Sequence, residues 1–352
     1  MKFLIAAAKT GGHVFPASVI AQSLVKKNHE VIFLGTGSEI EKNAYKDIES
    51  KTYNIFIEGF RGSKLVNKLK SIYQTFINIF KVIKIVNENK IDSMIGFGGF
   101  VTVPAGIACW LKRKPIFLHE QNAVLGSANK LLSRISKINF VGFPIKGIKK
   151  SIFSGNPIRD SFNNDFRENI KTNDKEIRIY ITGGSQGAEY INKRVPLIFK
   201  ELPYDLKIKH QCGKDNLTKV KELYELNNIK VEVNEFYKYP NEQILWSDFV
   251  ISRAGALSLS EITSLKRGLI MIPLPTSIDN HQLKNAQCIE RINMGILHEQ
   301  KEHINSLKDK VENIISKKIF VNWKSAENTT HIYSVKKIIE NIEEFFKKNE
   351  AI

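Results

Sequence analysis

The sequence predicts an α/β protein built from two doubly wound parallel sheets. Three observations carry that expectation. Short apolar runs alternate with helical patterns along the chain, the signature of βαβ units. The motif that opens the chain, an apolar run followed by a glycine-bearing turn and a helix, restarts at Ile177. Finally, 352 residues exceed one typical core and suit two domains of roughly 150 to 200 residues.

Composition narrows the class. A hydrophobic content of 42% is that of a folded soluble protein. The 53 Lys+Arg against 36 Asp+Glu give a net charge of +17, which favours anionic partners: nucleic acid, phosphorylated ligands or an acidic membrane surface. Abundant Lys, Ile and Asn also fit the coding bias of an AT-rich genome. Cys109, Cys212 and Cys288 are widely spaced with no Cys-x-x-Cys pair, so neither a zinc signature nor a disulfide framework is present and a reducing cytosol is expected. The apolar start, Met1 to Ala8, is too short for a signal peptide and stops at Lys9-Thr10-Gly11-Gly12-His13. No run approaches the roughly 18 apolar residues of a membrane span, so bilayer contact would be peripheral.

In order, Lys2 to Ala7 reads as a buried strand, Thr10 to His13 as a loop, Pro16 to Lys26 as a helix and Glu30 to Gly35 as a strand. The loop lacks the three glycines of a GxGxxG fingerprint, which disfavours nicotinamide and flavin enzymes. His13, at the loop-to-helix junction, is either a base, a donor to an anionic ligand, or a capping or packed histidine. Lys64 to Val86 is helical, with an expected core stripe of Leu65, Leu69, Ile72, Phe76, Phe80 and Ile83. Val66, Tyr73 and Ile77 lie on a flank with Lys70, Lys81 and Lys84, a pattern that suits either a helix buried on two sides or one lying on an anionic bilayer.

Ser93 to Gly96 is the next strand; it opens onto Gly96-Phe97-Gly98-Gly99-Phe100-Val101, read as an anion cradle of backbone N–H groups before a helix from Val103 to Lys112. Pro115 to Leu118 is a strand ending in His119-Glu120-Gln121-Asn122, polar residues where open α/β sheets bind ligands, or else a surface loop. A helix follows at Asn129 to Ser133, then a strand from Ile138 to Val141 and a rigid turn, Gly155-Asn156-Pro157-Ile158-Arg159. Ser161 to Glu176 is a polar connection.

The second half repeats the scheme with a strand at Ile177 to Thr182 and the turn Gly183-Gly184-Ser185-Gln186-Gly187-Ala188. Further strands are expected at Leu206 to His210, Ile229 to Val233, Phe249 to Ser252, Leu269 to Ile272 and Gly295 to Leu297. Ser252-Arg253-Ala254-Gly255-Ala256-Leu257-Ser258-Leu259-Ser260-Glu261 reads as strand end, small-residue turn and helix start, whose unpaired N–H groups and partial positive charge suit a phosphate, with Glu261 as acceptor for sugar hydroxyls. Asp279-Asn280-His281-Gln282 opens another helix, reading sugar hydroxyls or merely capping it. Ile332 to Phe346 is a terminal amphipathic helix.

Taken jointly, Thr10 to Ala17, Gly96 to Phe100, His119 to Asn122, Gly155 to Arg159, Gly183 to Ala188, Arg253 to Glu261 and Asp279 to Ala286 resemble, in order and spacing, the bacterial cell-wall glycosyltransferase family MurG. The resemblance implies a GT-B fold, two Rossmann-like domains facing across a cleft. It implies an acceptor and membrane-facing domain over 1–158, a UDP-sugar domain over 159–335, and a terminal helix over 336–352 packing back toward the first. The implied reaction is inverting transfer of N-acetylglucosamine from UDP-N-acetylglucosamine to undecaprenyl-pyrophosphoryl-MurNAc-pentapeptide, without cofactor. The implied location is peripheral, on the anionic cytoplasmic face of the cell membrane, with no nucleic acid partner.

Residue by residue, the likeness puts Thr10, Gly11 and Gly12 beside the donor sugar and the acceptor pyrophosphate, and Asn122 on the donor N-acetylglucosamine. Arg159 and Ser185 fall on the diphosphate side and Tyr237 by the uracil, where the family uses mostly backbone. Ala256, Leu257, Ser258, Leu259 and Ser260 form the helix start under the phosphates, Glu261 takes the ribose and Gln282 the sugar hydroxyls. The family usually has two glycines before Thr10, where this chain has Ala8 and Lys9. Lys9 is expected to offset that by pairing with a phosphate. No Asp-x-Asp pair is present to hold a divalent ion on a diphosphate, so helix N-termini, backbone N–H groups and Arg159 are expected to stabilise the leaving charge. His13 is the candidate base, because an imidazole near pKa 6.5 suits neutral pH; Glu120 and His119 are alternatives. Two rivals stand beside this reading: a UDP-N-acetylglucosamine 2-epimerase on the same fold, and a non-catalytic basic module.

Overall fold

The computed structural model describes residues 1–8, 10–57, 65–162, 176–327 and 329–350, with the side chains of 65–69 left aside. Lys9, Lys64, most of the polar connection after Ser161 and the side chains of Leu65, Val66 and Leu69 therefore lie outside the described residues. The chain divides into two compact units, Met1–Arg159 with Tyr333–Ile352, and Asp160–Ile332.

The first unit runs β1 (Lys2–Ala6), α1 (Gly11–Lys26), β2 (Glu30–Gly35), α2 (Glu39–Tyr45), β3 (Lys51–Asn54), α3 (Leu65–Glu88), β4 (Ser93–Gly96), α4 (Thr102–Leu111), β5 (Ile116–Glu120), α5 (Ser127–Leu132), β6 (Ile138–Val141) and β7 (Ser151–Phe153). The second runs β8 (Glu176–Thr182), α6 (Glu189–Arg194), β9 (Asp205–Gln211), α7 (Leu217–Leu226), β10 (Val231–Asn234), α8 (Pro240–Trp246), β11 (Phe249–Ser252), α9 (Ala256–Ser264), β12 (Gly268–Met271), α10 (His281–Arg291), β13 (Gly295–Leu297), α11 (Ile304–Ser316) and α12 (Ile319–Ser325). Helix α13 (Ser334–Glu350) returns to the first unit, where Ile338, Ile339 and Ile342 join the core formed by Phe3, Ile5, Phe33 and Phe117.

The described strand pairings are parallel, in the orders β3-β2-β1-β4-β5-β6-β7 and β10-β9-β8-β11-β12-β13. Both sheets therefore reverse direction at one place, between β1 and β4 and between β8 and β11. Open α/β sheets bind ligands at such switch points, outside the carboxyl ends of the strands. The central strands are continuous apolar runs because helices cover both faces; Phe3 to Ala6 and Phe249 to Ile251 are fully buried. The edge strands β3 and β7, short and largely exposed, carry no such signal.

Two elements depart from expectation. Helix α1 starts at Gly11, so Gly11, Gly12 and His13 form its first turn rather than a loop. Pro16 suggests a helix start, yet it stands in the sixth position, where its ring crowds the carbonyl of the flexible Gly12. In α3 the expected core stripe divides: Ile83 is partly buried against the core, whereas Ile72, Phe76 and Phe80 are 53%, 58% and 58% exposed, beside Tyr73. The buried face instead carries Ser71, Asn78, Val82, Ile85 and Val86. Apolar periodicity misassigned the faces because this helix is apolar on more than one side, and small or amide side chains allow the close packing.

Candidate functional site

All four glycine-rich turns singled out by sequence stand at the switch points: after β1 and β4 in the first unit, after β8 and β11 in the second.

In the second unit, Gly255 is extended (φ −68°, ψ 134°) and α9 begins at Ala256. The first helix-internal acceptor is used by Leu259, whose N–H donates to Gly255 O at 3.0 Å. Among the described residues no hydrogen bond engages the N–H groups of Ala256, Leu257 or Ser258, which leaves three aligned donors and the positive end of the helix. Only Leu257 and Ser258 present side chains outward. Leu259 and Ser260 are fully buried, and the Ser260 hydroxyl donates to Ala256 O at 2.8 Å, so these two shape the helix start from behind. Glu261 is also mostly covered.

The β8 turn exposes Ser185. Its glycines serve different ends. Gly184 (φ +84°) has open space where a side chain would stand, whereas a Cβ on Gly187 would collide with the Cys212 carbonyl of the neighbouring β9 turn. At the end of β10, Tyr237 is only 9% exposed; its hydroxyl donates to Glu232 Oε1 at 2.8 Å and its N–H to Gln211 Oε1 at 3.1 Å. Its ring is thus turned inward, and the exposed aromatics beside it are Phe236, at 62%, and Tyr239, at 51%. Sequence reading missed Phe236, although extended backbone puts neighbouring residues on opposite faces. After β12, Asp279 and Asn280 both adopt left-handed backbone, the latter as the N-cap of α10. Gln282 follows; its Oε1 accepts from Leu274 N–H at 2.9 Å, tying the helix start to the strand end.

In the first unit, His13 is the third residue of α1. Its Nδ1 lies 3.0 Å from Thr10 Oγ1 and 3.4 Å from Ala8 O. A carbonyl only accepts, so this pairing favours the Nδ1–H tautomer and makes Nε2 the basic nitrogen. The second glycine turn is the wall behind this ring: a Cβ on Gly98 (φ +93°) would stand 3.1 Å from His13 Nε2. That turn, expected as an anion cradle, is seen to seat the histidine. Among the described residues, no hydrogen bond engages the N–H groups of Gly11 and Gly12. A Cβ on Gly12 would meet only Thr10 Oγ1, at 4.0 Å, and Gly11 packs on the Phe15 ring.

The strand-end run His119-Glu120-Gln121-Asn122 is not a surface loop. His119 is fully buried in β5, its Nε2 donates to Gly155 O at 3.0 Å and its Nδ1 accepts from Gln121 Nε2 at 3.1 Å. Burial lowers its pKa to about 4. Such a neutral, enclosed ring does not serve as a base for substrate, which corrects that alternative. Glu120 is also buried. Its carboxylate accepts from Asn122 N–H and Nδ2 (3.2 and 3.3 Å) and from Gly126 N–H and Asn129 Nδ2 (both 2.9 Å). These four donors occupy both oxygens, so in this structure Glu120 holds the loop that presents Asn122. Arg159 follows the buried run Ser154 to Ile158, anchored by Asn156 Nδ2 to Gln121 O at 3.0 Å, and its guanidinium lies over the Phe15 ring.

Known proteins share this organisation. The glycosyltransferase family 28 N-terminal domain matches residues 3–141 and the family 28 C-terminal domain residues 178–342. The UDP-N-acetylglucosamine–N-acetylmuramyl-(pentapeptide) pyrophosphoryl-undecaprenol N-acetylglucosamine transferase of Buchnera aphidicola is 34% identical over 350 residues, 97% of this chain and 99% of that one. Its namesake from Haemophilus influenzae is 34% identical over 315 residues, 88% and 89% of the two chains. The crystal structure of Acinetobacter baumannii MurG superposes with a TM-score of 0.81 at 29% identity, covering 97% of this chain and 99% of that one. A UDP-GlcNAc 2-epimerase from Neisseria meningitidis reaches a TM-score of 0.68 at 15% identity over 98% of this chain and all of that one, a likeness of fold alone. With GT-B neighbours in structure and full-length relatives in sequence, the chain belongs to the MurG family of glycosyltransferases.

Proposed function

We propose that this protein transfers N-acetylglucosamine from UDP-N-acetylglucosamine to undecaprenyl-pyrophosphoryl-MurNAc-pentapeptide, inverting the anomeric centre, in peptidoglycan synthesis. The observation that carries this reading is the 34% identity over 350 residues with a transferase of that name. The physical task is to break an anomeric C–O bond to a diphosphate while a sugar hydroxyl attacks from the opposite face. For the leaving charge, the second unit offers the three donors at the start of α9 and Ser185, and the first offers Arg159. Such preorganised dipoles and charges supply several kcal/mol of transition-state stabilisation in many enzymes. Glu261 and Gln282 would bind ribose and sugar hydroxyls, the backbone by Tyr237 the uracil, and Asn122 the N-acetylglucosamine. His13 Nε2 would take the proton of the attacking hydroxyl, while the Gly11 and Gly12 amides hold the acceptor pyrophosphate.

A peripheral site on the anionic cytoplasmic membrane face belongs to the same proposal. Among the described residues no helix is long and apolar enough to cross a membrane. Ile72, Tyr73, Phe76 and Phe80 on α3, with Trp110 and Leu111 at the end of the α4 helix that packs on it, expose apolar surface near Lys81, Lys84, Lys112 and Arg113. Interfacial aromatics and basic residues, each of the latter worth about 1 kcal/mol near an anionic surface, suit such a bilayer better than nucleic acid. Phe76→Ser with Phe80→Ser should abolish sedimentation with phosphatidylglycerol vesicles and leave turnover of a detergent-dispersed acceptor intact.

The reaction is tested by supplying UDP-N-acetylglucosamine and the lipid-linked acceptor and analysing the product by NMR. A β-linked disaccharide on the lipid is expected. Recovery of an epimerised nucleotide sugar instead would favour the epimerase alternative.

A further inference from the structure

Arg159 and the first turn of α1 share one neighbour. The Arg159 Cζ lies 5.5 Å from the centroid of the Phe15 ring, within the range of a cation–π contact. The same ring presses on the turn: a Cβ on Gly11 would come within 2.9 Å of Phe15 Cε2. The backbone leading to Arg159 is fixed independently, because Ser154 to Ile158 are buried and Gly155 O accepts from His119 Nε2 and from the Ser154 and Ser334 hydroxyls. What fixes the long side chain is a separate matter, since an arginine on a fixed Cα still has several rotatable bonds.

We infer that Phe15 is a positioning residue, which orients the Arg159 guanidinium toward the donor diphosphate while supporting the Gly11–Gly12 turn. The inference rests on the donor role proposed for Arg159. A flat ring offers the planar guanidinium a stacking face that an aliphatic side chain of similar volume does not. Because one ring touches both features, losing its aromatic face should act on diphosphate affinity, and losing its bulk should act on the turn.

The test is a double-mutant cycle on UDP binding by titration calorimetry with the full-length protein, using Phe15→Leu, Phe15→Tyr, Arg159→Ala and Phe15→Leu with Arg159→Ala. Phe15→Leu should weaken UDP binding about fivefold, the magnitude of a partly exposed cation–π contact. Phe15→Tyr should stay within about twofold, and Phe15→Leu should have no further effect once Arg159 is gone. An equal penalty in both backgrounds, or Phe15→Tyr as damaging as Phe15→Leu, would overturn the inference. So would a change confined to acceptor KM, which is what support of the turn alone would give. Lipid transfer by the wild type, measured beside it, separates the two claims: transfer with an additive cycle removes only the role of Phe15, and coupled UDP binding without transfer removes only the proposed acceptor reaction.

Discussion

The two helix starts at the switch points, α9 in the second unit and α1 in the first, are made from different materials. Behind the α9 start, Ala256, Leu259, Ser260 and Glu261 are covered, and the donors are backbone N–H groups on a fixed frame. At the α1 start, Thr10 and Gly12 are exposed, two glycines supply the amides, and a titratable ring is seated between Thr10, Ala8 and Gly98. The first is suited to holding a charge that is already present, and the second to handling a proton. The difference teaches that one architectural device, a helix start at a sheet reversal, can carry a plain donor or a titratable ring according to its third residue: Ser258 in α9, His13 in α1.

The largest expected effect separates these roles. His13→Ala should lower kcat by about 10² to 10³, within the range for loss of a general base, with donor KM changed less than about twofold. Steady-state kinetics in both substrates checks this; a matching rise in donor KM would merge the two roles.

Acid stability compares the units themselves. Each has a neutral buried histidine: burial lowers His119 to about 4 and His210 to about 3. A folded-state pKa below the ordinary 6.5 means that the unfolded chain binds the proton first, so stability falls as pH drops below 6.5, down to about 4 for the first unit and about 3 for the second. The integrated loss is on the order of 3 to 5 kcal/mol per site. Thermal midpoints between pH 7 and 3 should therefore fall steadily, and His210→Phe, despite the lost Tyr224 and Asn192 contacts, should flatten the slope. An unchanged slope would reject this cause.

Removing a single donor comes next. Ala256→Pro deletes one N–H at the first helical position, and Gly255 already has the extended backbone that precedes proline comfortably. UDP affinity should fall about 10- to 100-fold, the worth of a hydrogen bond to a charged group. Circular dichroism should show the helix content retained. The smallest effect is a contrast within α1. Gly11→Ala presses on Phe15 and should cost about 1 to 2 kcal/mol of stability, measured by urea unfolding, whereas Gly12→Ala should leave stability unchanged and raise acceptor KM.

Much of this was legible in the sequence because fully buried parallel strands announce themselves as apolar runs. Ile177 to Thr182 and Phe249 to Ser252 match β8 and β11 almost residue for residue. Strands β3 and β7 were invisible because they are short and almost wholly exposed, whereas the edge strands β10 and β13 were anticipated from their apolar residues. The turns were legible as motifs, but not the division of labour within them. Nothing in the run His-Glu-Gln-Asn shows that the first two side chains face inward and only the last is presented by the loop, because strand alternation ends within the motif. The exposed face of α3 was misread for a related reason: a helix with apolar side chains on more than one side gives periodicity no single face to assign to the core.

The central claim, that the α9 corner holds the donor and the α1 corner performs the proton transfer, is tested most directly by UDP release from UDP-N-acetylglucosamine, with and without the lipid-linked acceptor, for the wild type and His13→Ala. The account predicts release by the wild type only when acceptor is present, and near loss of release in His13→Ala with UDP binding retained. Acceptor-independent release, no release by the wild type, or loss of UDP binding in His13→Ala would contradict it.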